Sequence, residues 1–255
     1  MFFVSTTFLG IDPTAGKRPF VYAALDEELK LLALGQSEME EVLAFVAGQR
    51  QAVVAVCAPR RPNQRIMERP EVREQLSPPP KPGRWVNFRL AEYLLRQHNI
   101  SSPKTPRVEK DCPNWMQMGF TLHRRLEGLG YDIYPNPNSQ RQYLEVYPHA
   151  SYTVLLGMTP FPKYSLEGRL QRQLVLYEQK INVPDPMRFF EEVTRHRLLH
   201  GILPEEGLYE TGELDALVAA YTAWKATQHP EQVTSFGHPE EGQIILPVAE
   251  LKSKY

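Results

Sequence analysis

The strongest constraint on the fold is a run of five apolar residues, Ala52-Val53-Val54-Ala55-Val56, with no polar residue to place on either side. An extended segment points alternate side chains to opposite faces, so a run without alternation must be covered on both faces. It therefore reads as a central parallel strand between two layers of helices. Upstream, residues 7–12 form a buried strand ending in an acid, Asp12, and Pro13 to Pro19 supply a turn containing Gly16. Residues 20–25 form a second strand, Asp26-Glu27 a turn, and residues 29–34 a third strand. Ser37 and Glu40 fit a capping box ahead of Met39, Val42, Leu43 and Val46, which have helical spacing.

The opening order of strand, strand, strand, helix, strand resembles that of the ribonuclease H-like fold. From Pro59 to Pro82 seven prolines are interleaved with Arg60, Arg61, Arg65, Arg69 and Arg73 and with Glu68, Glu71 and Glu74. This stretch reads as a projecting loop with one short helix; its arginines could meet a nucleic-acid backbone, but the interleaved glutamates favour a self-paired loop. Helices are expected over 89–98 and 113–129, the second stopped by Gly130. A fifth strand spans 143–147, and a helix starts at Ser151 to Leu156. Further helices cover 166–179, 186–200 and 213–227, and a short strand closes the chain at 242–247. The expectation is one α/β domain over 1–255, with a mixed five-stranded sheet, flanking helices and a Pro/Arg-rich insertion at about 59–113.

The bulk properties narrow the function. The chain has 255 residues, a formal net charge of -1 and 23 prolines. That charge argues against a generally basic nucleic-acid-coating protein but leaves room for a local groove. Two distant cysteines, Cys57 and Cys112, make no disulfide framework and suit a reducing cytoplasm. No stretch of 18 apolar residues occurs, so no membrane span is expected, and Met1 to Ser5 lack the marks of a signal peptide.

Three acids carry the chemical interest. Asp12 ends an apolar strand, where an acid must face solvent, cap a turn or bind a cation. Glu145 lies in Tyr-Leu-Glu-Val-Tyr-Pro, where alternation puts Tyr143, Glu145 and Tyr147 on one face and Leu144 and Val146 on the other. Asp215 heads a row of small residues, Ala216, Ala219, Ala220 and Ala223, that lets a helix approach a sheet closely. Each has a plain alternative: an Asx-turn acid, a half-exposed strand residue, and an acid favourably placed in a first helical turn. Together on one surface they would make a magnesium site, because magnesium takes hard oxygen ligands, keeps several waters and lets a substrate phosphate complete its shell. A pair of such ions about 4 Å apart can activate water and stabilise a leaving oxygen.

These residues belong to a distributed pattern: Gly10-Ile11-Asp12, Val-Val-Ala-Val-x-Ala-Pro at 53–59, Arg89-x-x-Glu92, Glu145-Val-Tyr-Pro-x-Ala-Ser151, Lys163-Tyr164, Gly168-Arg169, Arg172, Leu214-Asp-Ala-Leu-Val-Ala-Ala220 and Glu241-Gly-x-Ile244. On them the chain resembles the predicted RNase H-like nucleases grouped as domain of unknown function 429. The resemblance implies an RNase H-like fold and hydrolysis of DNA or RNA phosphodiesters. It makes Asp12, Glu145 and Asp215 the catalytic ligands of Mg2+ or Mn2+. One departure stands out: many relatives carry Asp where this chain has Cys57, and a neutral thiol is a poor magnesium ligand. The alternative is thus a catalytically impaired module that binds nucleic acid or protein.

Lys163, Arg169 and Arg172 are candidates for holding phosphate oxygens, against the plainer reading of a solvated basic face. His149 is a candidate outer-shell or proton-transfer group. Glu192, His196 and His200 have transition-metal spacing but lack the general-base Glu of a His-Glu-x-x-His motif, since Arg197 follows His196. No glycine-rich phosphate loop is present. The sequence leaves the oligomeric state open.

Overall fold

A computed structural model describes residues 5–14, 18–80, 83 and 85–255; Met1 to Val4, Gly16 and Pro82 lie outside them. Three strands, β1 (Thr7–Asp12), β2 (Phe20–Leu25) and β3 (Leu31–Ser37), form an antiparallel meander. The third strand starts two residues later than the apolar pattern suggests. The Asp26 carboxylate accepts the N–H groups of Glu28 and Lys30 at 3.0 and 2.8 Å, extending the turn through Leu29. Helix α1 (Met39–Ala47) leads to β4 (Ala52–Val56), which pairs parallel to β1 as the apolar run requires. The expected Ser37/Glu40 capping box does not form: Ser37 ends β3, Glu38 is the N-cap, and the Ser37 hydroxyl donates to Glu41.

Beyond β4 the chain runs through α2 (Pro70–Glu74), α3 (Leu90–Gln97) and α4 (Asn114–Gly128) to β5 (Asp132–Ile133) and β6 (Arg141–Glu145). Helix α5 (Pro148–Leu156) starts at its proline, whose fixed φ suits a first helical turn, and not at Ser151. Helix α6 (Leu166–Glu178) follows. The single helix expected over 186–200 is two short ones, α7 (Arg188–Glu192) and α8 (Arg195–Leu199), because Thr194 breaks the run and its hydroxyl caps the Arg197 N–H at 3.1 Å. Helix α9 (Thr211–Gln228) precedes a hairpin of β7 (Thr234–His238) and β8 (Gly242–Leu246).

The sheet has eight strands, not five, in the order β3-β2-β1-β4-β6-β8-β7, with β5 also pairing to β6. The extra strands escaped the sequence reading for physical reasons. β5 has two exposed residues, and β7 (Thr-Ser-Phe-Gly-His) is an edge strand without alternation. β4, β5 and β8 all run parallel to β6 or its neighbours, so the sheet is mixed.

Two cores sandwich it. Phe8, Val21, Ala55, Cys57, Leu144 and Val146 face α9, α5 and α6. Leu9, Ile11, Val54, Val56 and Tyr143 face α1 and α4. Helix α9 lies directly on β1: a Cβ on Gly10 would fall 1.9 Å from the Ala216 carbonyl oxygen and 2.5 Å from the Ala220 nitrogen. Gly10 and the alanine row are therefore one feature, a backbone-to-backbone contact that only hydrogen and methyl side chains permit. Among the described residues no helix is long and apolar enough to cross a membrane.

Candidate functional site

The contact between Gly10 and Ala216 sets the register of α9 on β1 and brings two acids together. Asp12, two residues beyond Gly10 on the same face of β1, ends the strand. Its carboxylate lies against the first turn of α9, where a Cβ on Gly212 would sit 3.8 Å from Asp12 Oδ2. Asp215, one turn further along α9, is 7% exposed, and its carboxylate is gripped by the ammonium of Lys163 from the loop between α5 and α6. The Cys57 Sγ lies 3.6 Å from the Asp215 carbonyl oxygen. These groups sit at the carboxyl ends of the parallel strands β1 and β4, where open α/β sheets place their ligand crevices. A cleft of about 760 Å³ opens over them, walled by Trp115, Tyr147, His149, Lys163, Tyr164 and Arg172.

Among the described residues Lys163 is the cation bonded to this pair, through Asp215, and it reaches Asp12 only at longer range. Burial, reinforced by Asp215 and opposed by Lys163, pushes the Asp12 carboxyl up to about 7. Burial also raises Asp215, against the pull of Lys163 and Arg172. Lys163 stays firmly charged: burial opposes its charge, and Asp215 more than restores it. Burial, with Asp12 and Asp215 adding to it, drives the Cys57 thiol well above its ordinary value, so it is neutral. His149 is lowered by burial and by the nearby Arg172 and Lys163, so its imidazole is neutral at pH 7.

Glu145 does not join this cluster. Ile11 pairs in register with Val56, and Val56 with Glu145, so these three side chains share one face of the sheet. Asp12, one residue past Ile11, faces the other way. Glu145 is instead held in a buried polar network. Arg89 donates from Nη2 to its Oε1 at 2.5 Å and from Nη1 to its Oε2 at 3.0 Å, and the Arg60 N–H donates to Oε2 at 2.9 Å. Arg89 Nε also donates to Glu92 at 3.0 Å, so the intrahelical pair expected from the sequence exists but serves a longer-range purpose. Glu241 receives the Leu90 N–H at 2.5 Å. Gly242, at φ +107°, makes room: a Cβ there would fall 2.6 Å from Glu145 Oε2. The expected trio of acids is thus a pair, and the third is a structural ion-pair residue.

The basic candidates also divide. Lys163, Arg172 and His149 line the cleft; Arg169 turns away, bonded to Glu205 at 2.6 Å and to the Tyr209 carbonyl at 3.0 Å. The Arg172 guanidinium donates to the carbonyls of Phe161 and Gly168 at 3.0 and 2.9 Å, which fixes the loop carrying Lys163. In the arginine-rich loop, Arg65 and Arg107 both pair with Glu68, and Arg69 pairs with Glu240. Glu192 is bound to Arg197, and the rings of His196 and His200 stack with centroids 4.3 Å apart. Among the described residues no group of three or more His, Cys, Asp or Glu side chains is placed to hold a metal ion.

A protein-family model described as "Protein of unknown function (DUF429)" matches residues 10–241. The chain belongs to that family. The match begins at the Gly10 that seats α9 and ends at the Glu241 of the buried network, so in this DUF429 chain it spans both clusters. No curated protein and no solved structure matches the chain.

The aromatic wall of the cleft, Trp115, Tyr147 and Tyr164, was not foreseen as functional. Tyr147 and Tyr164 adjoin residues that were singled out, but Trp115 lies in an apolar helical stripe that reads as core. Only the folded chain shows that it closes a cleft lined by residues as distant in sequence as Asp12 and Asp215.

Proposed function

We propose that this DUF429 chain is a divalent-metal-dependent nuclease of RNase H-like type, in which Asp12 and Asp215, without Glu145, hold Mg2+ or Mn2+. The observation that carries the reading is the pairing of these two carboxylates, both raised in pKa by burial, in the lining of one cleft. The order of the first five sheet positions, β3-β2-β1-β4-β6, supports the fold reading. The donor set fits magnesium, which is commonly held by one or two carboxylates, with waters and substrate phosphate filling its octahedron. Cys57, neutral and soft, adds nothing to that shell.

When bound, the ion would supply Lewis acidity to the phosphate and make a coordinated water more acidic. The side chains do the rest. Asp12 and Asp215 hold the negative charge that selects a cation over an anion at the cleft floor. Lys163 is positioned to meet a non-bridging phosphate oxygen, and Arg172 fixes the loop that carries it. Neutral His149 can accept or deliver a proton at the wall.

The test is cleavage of labelled DNA and RNA oligonucleotides with Mg2+ or Mn2+. Cleavage is expected from the native protein and is expected to be lost in Asp12→Asn and Asp215→Asn, both folded by circular dichroism. Full activity in either variant rejects the assignment. A second reading is favoured by Lys163, which already neutralises Asp215: a module that binds nucleic acid without cutting it. Salt-dependent binding with no metal-stimulated turnover would select that reading.

A further inference from the structure

The shape and lining of the cleft point to single-stranded nucleic acid, DNA or RNA, as its ligand, in preference to a duplex. This rests on the reading of the cleft as a nucleic-acid site, and extends it from the class of bond to the form of the strand.

Three observations carry it. First, one of the acids is recessed: Asp215 is 7% exposed in the lining of a cleft of about 760 Å³, with the half-buried Asp12 beside it. That volume lies within the range of pockets that enclose small ligands. A strand released from its partner can turn a nucleotide into a cleft of that size, whereas a stacked and paired one must first be flipped out at the cost of its stacking and pairing.

Second, the charge is wrong for a duplex. Among the described residues Arg18, Lys163 and Arg172 line the cleft beside Asp12, Asp215 and Glu210, so their charges balance and they give no cationic excess to neutralise a run of phosphates. Lys163 is engaged by Asp215 and Arg172 by two carbonyls. Four arginines outside the cleft are paired with acids: Arg65 and Arg107 with Glu68, Arg69 with Glu240, and Arg169 with Glu205.

Third, the walls offer stacking surfaces. Tyr164 is 81% exposed at the rim, with the Lys163 ammonium 5.7 Å from its ring centroid. Tyr147 lies deeper, edge-on to His149 with ring centroids 5.9 Å apart, and Trp115 forms part of the wall. Exposed aromatic faces are how proteins hold unpaired bases, since every base has a π-face to stack.

The test measures binding apart from cleavage. Fluorescence anisotropy with Ca2+ in place of Mg2+ compares a labelled 12-nucleotide DNA, its RNA counterpart and the matching blunt duplexes. Single strands are expected to bind at least tenfold more tightly than either duplex. Tyr164→Ala is expected to lose about tenfold in single-strand affinity, with Tyr164→Phe restoring it, because the ring and not the hydroxyl stacks. Tyr164 is exposed, so neither variant endangers the fold. Equal affinity for duplex and single strand, or an unchanged affinity in Tyr164→Ala, overturns the inference. Single-strand binding with no cleavage under Mg2+ or Mn2+ would instead uphold it and remove the hydrolytic assignment, so the two fail separately.

Discussion

Two groups of buried acids lie near the same ends of the strands but on opposite faces of the sheet, and they are treated in opposite ways. Around Glu145 hydrogen bonding is dense: Arg89 bonds both carboxylate oxygens, the Arg60 N–H adds a third bond, and Glu92 and Glu241 take bonds from Arg89, Thr105 and Leu90, although burial still raises Glu241. Around Asp12 and Asp215 the bonds are sparser among the described residues: Lys163 pairs with Asp215, and the Asp12 carboxyl rises to about 7. A buried acid whose partners are all supplied by the chain works for the fold. One with fewer donors, raised in pKa beside a cleft, is free to take a ligand, and such groups concentrate at functional sites.

The contrast breaks most directly at Glu145. Glu145→Gln removes one partner of a buried ion pair and should destabilise the protein by about 3–5 kcal/mol. Urea denaturation measures this, and unchanged stability would mean the network is not structural. On the same side of the sheet, His123 is fully buried beside the Ala58 carbonyl, and burial lowers its pKa to about 4. The folded state then binds fewer protons than the unfolded state between pH 4 and 6.5. Stability should fall by about 3 kcal/mol as pH drops through that window, and His123→Phe should remove the fall.

The other face should behave in reverse. Asp12 has a raised folded pKa, so its contribution is favourable below about pH 4 and lost as pH rises through about 7. Asp12→Asn should therefore stabilise the protein at pH 7.5, by roughly 2 kcal/mol or a melting rise of several degrees, while abolishing any metal-dependent cleavage. A destabilised Asp12→Asn would place Asp12 with Glu145 as a structural acid. In the native protein the Asp12 and His123 terms oppose each other between about pH 4 and 7, so the acid-side loss should be steeper in Asp12→Asn. The smallest effect belongs to the exposed Arg125–Glu40 pair, bidentate at 2.8 and 2.7 Å. Arg125→Ala should leave the melting temperature unchanged, because solvent screens such pairs; a clear drop would show that pairing alone, without burial, stabilises this chain.

Much of this was legible before any coordinates. The run at 52–56 announced a central strand, and the alanine row behind Asp215 announced a helix close to a sheet. The alternation through Tyr143 and Glu145 already placed Glu145 with an aromatic core residue and apart from Val146. Local pattern suffices for such features because they depend on neighbours one to four residues away.

What the tertiary structure alone decided was which residues meet. The register that aligns Ile11, Val56 and Glu145, and so turns Glu145 away from Asp12, joins three strands spread over more than a hundred residues. A shift of one residue in any of them would reverse the faces. Arg89 reaches Glu145 across 56 positions, and Lys163 reaches Asp215 across 52. Neither separation leaves a periodic trace in the sequence, because a long-range ion pair is fixed by the packing of whole elements and not by spacing along the chain.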